Sequence, residues 1–128
     1  MKYYFSKKIN KEFEDAIVYV TNTLQKEGFG VVSEIDLQAK FKEKLQVDFR
    51  KYKILGVCNP QLAYKALQHE DKLGTMLPCN FIVQEIDEAT TEIAAVDPVA
   101  SMQAVENDNL AEVAQLVQGK LKAIVEQL

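Results

Sequence analysis

The stretch from Ile54 to Asn80, ILGVCNPQLAYKALQHEDKLGTMLPCN, decides how this chain is organised. It begins in a short apolar run that ends at Cys58, which is typical of a strand covered on both faces. Asn59 and Pro60 then supply a capping side chain and a first-turn proline, and together they predict that a helix begins there. A loop that ends at Pro78 follows the helix. The stretch therefore predicts a strand, a helix and a second strand after the loop.

Upstream of this stretch, the hydrophobic periodicity predicts two further strand and helix units. Residues Tyr3–Ile9 alternate apolar and polar positions, which indicates a half-buried strand. An amphipathic helix is predicted over Lys11–Glu27, with Asn10 as its cap. Val31–Ile35 is predicted to form the second strand, and Asp36 is placed to cap a short helix.

Downstream, two alternating or apolar segments, Asn80–Ile86 and Thr91–Val96, are spaced as a hairpin. A short helical piece is expected near Ser101–Val105. Asn109, with Glu112 three residues later, resembles a capping box at the start of a long terminal helix. The predicted order is β-α-β-α-β-α-β-β-α. This order predicts an α+β fold in which helices pack on one face of a mixed or mainly antiparallel sheet.

Length and composition predict a single globular domain over residues 1–128. The chain has 48% hydrophobic and 27% charged residues, and two cysteines are too few for a disulfide-stapled scaffold. The N-terminal residues lack the apolar core of a signal peptide, and no run has the roughly 18 apolar residues of a spanning helix. We therefore expect a cytoplasmic protein. A net charge of −4 disfavours nucleic acid and anionic membranes as partners.

The charges are unevenly distributed along the chain. A basic segment, residues 40–53, contains six Lys and Arg side chains, whereas an acidic segment, residues 73–119, contains eight carboxylates and no Lys or Arg. Such runs are usually solvated surfaces. The alternative is that the two segments attract each other within the fold or across a subunit interface.

Cys58 and Cys79 bracket the helix that begins at Asn59 and Pro60, and they are the main candidates for chemistry. Cysteine is often buried as a small apolar residue, which is one interpretation of both. The other is a binding site, because Cys58 precedes a helix N-terminus, where backbone donors lower a thiol pKa and favour an anionic ligand. The sequence leaves open whether the two cysteines meet.

A metal site would need Cys58, His69 and Cys79, with Met76, a carboxylate or water as the fourth ligand. Ten residues separate Cys58 from His69 and nine separate His69 from Cys79, whereas structural zinc sites usually contain close cysteine pairs. The interpretation of His69 as a solvated residue near a helix C-terminus is therefore preferred. Glu92 and Asp97 are discounted as an acid/base pair, because period-2 alternation points them to opposite faces.

Several motifs resemble the bacterial and archaeal family called domain of unknown function 302. They are KEKL at residues 42–45, VDFRKYKILG around Arg50, Cys58-Asn59-Pro60, Leu77-Pro78-Cys79 and Asp97-Pro98. The resemblance implies a compact α+β domain with a curved antiparallel sheet that forms homodimers. It implies no established reaction, cofactor or substrate. The chain departs from the family pattern at Gln46, where glycine is common, and at Lys51, where proline is common.

The favoured hypothesis is a homodimeric, non-enzymatic binding or accessory domain. Its predicted ligand-binding residues are Cys58, Asn59, Pro60 and Cys79, close to Leu77 and Pro78. The sequence identifies neither the small-molecule ligand nor a cofactor, and no catalytic residue is proposed. The alternative is a thiol redox or metal-handling protein that uses Cys58 and Cys79 with His69. A third hypothesis is an assembly module joined through its basic and acidic segments.

Overall fold

A computed structural model of the chain describes residues 2–128. Its five strands are β1 (Tyr4–Ile9), β2 (Gly30–Asp36), β3 (Tyr52–Cys58), β4 (Cys79–Asp87) and β5 (Thr90–Val96). They form one sheet in the order β1-β5-β4-β3-β2, and every neighbouring pair is antiparallel. The predicted α+β class and antiparallel sheet are confirmed.

Five α-helices connect or follow the strands: α1 (Phe13–Lys26), α2 (Leu37–Leu45), α3 (Pro60–His69), α4 (Pro98–Ser101) and α5 (Asp108–Gln127). The segment Asp71–Met76, predicted as a loop, forms a 3-10 helix. The short helical piece predicted at Ser101–Val105 begins earlier, because Pro98 occupies the first turn and Asp97 caps it. Within residues 2–128, no helix is both long enough and apolar enough to cross a membrane.

The main core lies between one face of the sheet and helices α1 and α5. Alternate strand residues point into it, including Leu55, Phe81, Val83 and Ile93, each at most 1% exposed. Helix α1 contributes Val20 and Leu24, and α5 contributes Leu121 and Ile124. A smaller cluster of Ala66, Leu73, Leu110 and Val113 joins α3, the 3-10 helix and α5.

The other side of the sheet carries the alternate strand residues, and it is called the open face here. Three rows of residues that run across β1, β5, β4 and β3 define the open face. The rows are Tyr4, Val96, Asn80 and Gly56; Ser6, Ala94, Ile82 and Ile54; and Lys8, Glu92, Gln84 and Tyr52. Most of these side chains are half-buried or exposed, although Gly56 is buried. An antiparallel sheet tolerates such a solvated face.

Two of the predicted helix caps are wrong. Helix α1 has Glu12 at its N-cap, without a side-chain cap bond, in place of Asn10. The Thr91 hydroxyl donates to the Lys11 carbonyl at 2.8 Å, which ties the entry to α1 to strand β5. Helix α5 is capped by Asn107, and Asn109 supplies the backbone donor to that cap at 3.0 Å.

The structure gives a physical meaning to one departure from the family pattern. Gln46 ends α2 in the left-handed conformation, with φ of 55°, where glycine has no steric cost. Its side chain donates to the Glu43 carbonyl at 3.0 Å, which offers partial compensation. Gly28 ends α1 with φ of 85°, as its position after Glu27 predicts.

Candidate functional site

An apolar cavity of about 50 Å³ lies where β3 ends and β4 begins, beneath α3 and α5. Cys58, Asn59, Leu77 and Cys79 line it, so two of the motifs quoted from the sequence meet at one place. Apolar side chains of α3 and α5 complete the wall, among them Leu62, Ala66, Val113 and Val117. Pro60 begins α3 but is not among the lining residues.

Local hydrogen bonds fix the elements that surround this cavity. The Asn59 side chain accepts from the Leu62 backbone N–H at 3.2 Å, which confirms Asn59 as the cap of α3. At the other end of α3, the Asn107 side chain donates to the His69 carbonyl at 2.8 Å. Because Asn107 also caps α5, this residue joins the C-terminus of α3 to the N-terminus of α5. The cavity wall is thus held at both ends of α3.

The two cysteines lie on neighbouring strands, but they are not opposite each other. Cys79 is the register partner of Val57, and Cys58 is the register partner of Gly30 on the other side. Since successive strand residues alternate between faces, the side chains of Cys58 and Cys79 leave the sheet in opposite directions. Both thiols are free, and each residue is half-buried. A redox pair formed by these residues stays a prediction.

The environment of Cys79 makes its thiol a poor nucleophile. Burial, and to a smaller extent the neighbouring Cys58 thiol, raise the pKa of Cys79 from the ordinary value of 9.0 to about 11. The thiolate is the reactive and metal-binding form, so at neutral pH Cys79 is almost entirely the unreactive thiol.

The cavity also does not match an anionic ligand. No Lys, Arg or His side chain is among its lining residues. The Asn59 side chain already occupies the Leu62 N–H, one of the donors at the start of α3. An apolar group suits this wall better, because burying an anion without a partner is costly.

His69 does not join the cysteines. It is exposed at the end of α3 and is not among the residues that line the cavity. Between residues 2 and 128, no three His, Cys, Asp or Glu side chains lie close enough together to hold a metal ion. The alternative based on Cys58, His69 and Cys79 therefore gains no support from the geometry.

Glu92 and Asp97 diverge as the alternation predicts. Asp97 is 8% exposed, and its carboxylate accepts from the backbone N–H groups of Val99 and Ala100. The Gln118 side chain also donates to both carboxylate oxygens at 3.1 Å. Glu92 lies on the open face, so these two acids do not form a catalytic pair.

The open face carries a polar chain that the sequence did not predict. Arg50 Nε donates to Gln84 Oε1 at 2.9 Å, and Gln84 Nε2 donates to Glu92 Oε1 at 2.8 Å. The Arg50 guanidinium also lies over the rings of Phe49, at 4.4 Å, and Tyr52, at 5.5 Å. In the sequence, Gln84 and Glu92 each lie next to an apolar strand residue, which indicates that both face away from the core. Only the strand register shows that the two side chains are neighbours.

The comparisons with known proteins agree with the resemblance seen in the sequence. The model of the family described as Domain of unknown function DUF302 matches residues 5–128. A similar solved structure is the crystal structure of an uncharacterized conserved DUF302 protein from Bacillus stearothermophilus. It is 27% identical, with a TM-score of 0.90 over 99% of this chain and 98% of that chain. No curated protein matches this chain significantly.

Proposed function

The chain belongs to the DUF302 family, and from that premise and the cavity we propose that it is a small binding or accessory domain. Its ligand would place an apolar group between β3, β4, α3 and α5. The single observation that carries this proposal is the nearly continuous apolar wall at the place where the Cys58-Asn59 and Leu77-Cys79 motifs meet. Apolar cavities with a few polar groups at the edge are the usual form of small-molecule sites.

The volume of the cavity limits the size of the ligand group that it can hold. Its volume is about 50 Å³, about a third of the roughly 150 Å³ of an apolar cavity that binds benzene. A terminal methyl or isopropyl group of a larger molecule is therefore the expected occupant. Asn59 would supply the polar contact at the edge, Cys79 would act as an apolar wall residue, and Cys58 would border the cavity at the end of β3.

Xenon is a suitable probe, because it is apolar and carries no specific hydrogen bonds. Methyl resonances of Leu62 and Val117 are expected to shift with xenon pressure in two-dimensional NMR spectra. Ala66→Leu would fill the cavity from α3 and abolish these shifts, since Ala66 is a lining residue that is 5% exposed. Ala111→Leu is the matched control, because Ala111 is an exposed residue of α5 outside the cavity wall.

Two results would contradict the proposal. One is the absence of xenon-dependent shifts at the cavity methyl groups of the wild-type protein. The other is the persistence of these shifts in folded Ala66→Leu. A smaller replacement, Ala114→Val, fills the cavity from α5 and covers the case in which Ala66→Leu does not fold.

We also propose that the domain is a homodimer in the cytoplasm, as the family resemblance and the composition suggest. The basic and acidic segments favour a contact between chains. None of the ion pairs formed by residues 2–128 joins residues 40–53 to residues 73–119. Light scattering at about 0.05 M and 1 M salt tests this contact, because screening at 1 M reduces the Debye length to about 3 Å. A dimer that persists at 1 M salt would be held by apolar burial instead.

A further inference from the structure

A second concave region lies on the open face, across the sheet from the cavity. It is a groove of about 370 Å³ over strands β1, β5, β4 and the start of β3. Tyr4, Tyr52 and Ser6 stand at its sides, and Ile82 and Ala94 lie between them as an apolar floor. Gln84 and Glu92 provide its central polar groups. This groove is larger than the cavity and combines aromatic rings with planar polar side chains.

The polar groups of the groove are held in one orientation. Gln84 accepts from Arg50 and donates to Glu92, so the direction of its amide is set from both sides. The charges of Arg50 and Glu92 are thereby linked through a neutral side chain. Only one Glu92 oxygen accepts a hydrogen bond from the described residues, so the other is available to a ligand donor.

The two aromatic residues of the groove stand at diagonally opposite corners. Tyr4 lies on β1 and Tyr52 on β3, three strands away, and the register places Tyr52 in the row of Gln84 and Glu92, four residues along the strands from Tyr4. With about 4.8 Å between neighbouring strands and about 3.3 Å per residue, their backbones are roughly 20 Å apart. Each ring has a cation over it: Lys2 lies 5.8 Å from the Tyr4 centroid, and Arg50 lies 5.5 Å from the Tyr52 centroid. The space between the rings is wide enough for one six-membered ring.

The surrounding charges disfavour both cationic and anionic ligands. Lys2, Lys8 and Arg50 stand around the groove and would repel a cation. Lys8 is the register partner of Glu92, although no ion pair joins the two. Glu92 lies within the groove and would repel an anion. A neutral ligand rich in hydrogen-bond donors fits this arrangement.

We infer that the open face binds a neutral polyhydroxylated ring, such as a monosaccharide unit. The ligand hydroxyl groups donate to Glu92 and contact Gln84, Ser6 and Asn80, and the C–H face of the ring lies on Ile82 and Ala94. Tyr4 and Tyr52 bound the groove at its diagonal corners. This site is separate from the apolar cavity, so either site can fail its test while the other stands.

The test uses the full chain and two neutral probes, myo-inositol and methyl α-glucoside, in NMR titrations. Both are expected to shift the Gln84 side-chain amide and the Ala94 methyl resonances, with dissociation constants in the millimolar range. Cyclohexanol tests whether the apolar floor alone suffices, and benzylamine tests a cation; both are expected to bind at least tenfold more weakly. Glu92→Gln should weaken inositol binding about tenfold, because a hydrogen bond to a charged acceptor is lost.

Glu88→Gln is the matched control, since Glu88 lies in the β4–β5 turn outside the groove and its loss should leave binding unchanged. Ala94→Leu covers the case in which Glu92→Gln alters the fold, because it fills the groove floor from the solvent side. The inference is overturned if neither polyol shifts these resonances, or if benzylamine or cyclohexanol binds as tightly. It is also overturned if folded Ala94→Leu binds inositol as the wild type does.

Discussion

Replacing Gly56 with alanine is expected to destabilise the protein, although alanine normally suits a strand better than glycine. Gly56 is a buried position in the middle of β3. A Cβ added there would lie 2.6 Å from Pro78 Cγ and would also collide with the Ser33 hydroxyl oxygen. The proline ring cannot rotate away. We expect overpacking of about 1–3 kcal/mol, reduced by the roughly 0.5–1 kcal/mol that alanine gains over glycine in a strand. From the middle of each range, the net loss in unfolding free energy is about 1.3 kcal/mol.

Urea denaturation of Gly56→Ala measures this loss directly, and a double-mutant cycle with Ser33→Ala separates its two causes. Ser33 is exposed, so Ser33→Ala alone should change stability by less than about 0.5 kcal/mol. The double variant should recover the part due to the hydroxyl and keep the part due to Pro78. Gly119→Ala in α5 is the control, because a Cβ there meets no atom within 4 Å and should stabilise the helix by about 0.5–1 kcal/mol. Wild-type stability in Gly56→Ala would refute the argument from packing.

Further outcomes follow from the helix caps, the backbone conformation of Gln46 and the environment of Cys79. Asn59→Ala should lower the unfolding free energy by about 1 kcal/mol through loss of the α3 cap. Asn107→Ala should cost about 2 kcal/mol, because it also loses the bond to His69; equal losses would contradict the linking role of Asn107. Gln46→Gly should raise stability by about 0.5–1 kcal/mol, measured by urea denaturation, since φ of 55° favours glycine; a loss would show that the bond to Glu43 matters more. The pKa of Cys79 is raised to about 11 in the folded protein, so the folded state holds this proton more tightly than the unfolded chain does. The contribution of Cys79 to the unfolding free energy is therefore complete below pH 9, and it should fall by about 1–3 kcal/mol between pH 9 and 11. Cys79→Ala should remove this part of the pH dependence, and an unchanged profile would contradict the raised pKa.

The elements of this fold could be predicted because their signals are local. Helix α3 begins where a capping asparagine precedes a proline, and α1 ends where Gly28 supplies a left-handed residue. The caps at Asn10 and Asn109 could not be decided in the same way. Each lies within two residues of another polar residue that can occupy the N-cap position. The hydrogen bond from Thr91 to the Lys11 carbonyl and the one from Asn107 to the His69 carbonyl fix the boundaries that the structure has. Local sequence is thus compatible with several helix ends, and tertiary contacts determine which one forms.

The relation between the two cysteines depended on register, which the sequence does not specify. The sequence left open whether Cys58 and Cys79 meet, and the structure pairs β3 with β4 as antiparallel neighbours. The pairing of Cys79 with Val57 places the cysteines one position out of step. Because a shift of one residue reverses the direction of a side chain, the thiols point to opposite faces. A register difference of one residue therefore determines whether Cys58 and Cys79 lie on the same face of the sheet.

The polar chain of Arg50, Gln84 and Glu92 also depends on register, but here the register brings residues together. These residues are 34 and 8 positions apart in the sequence, and no motif joins them. Register places Gln84 beside Tyr52 on one side and beside Glu92 on the other. The cavity and the groove therefore lie on opposite sides of the same strands, and any substitution that moves β4 would disturb both. Ala66 on α3 and Ala94 on the open face each change one site only, so this pair of variants assigns a binding result to one side of the sheet.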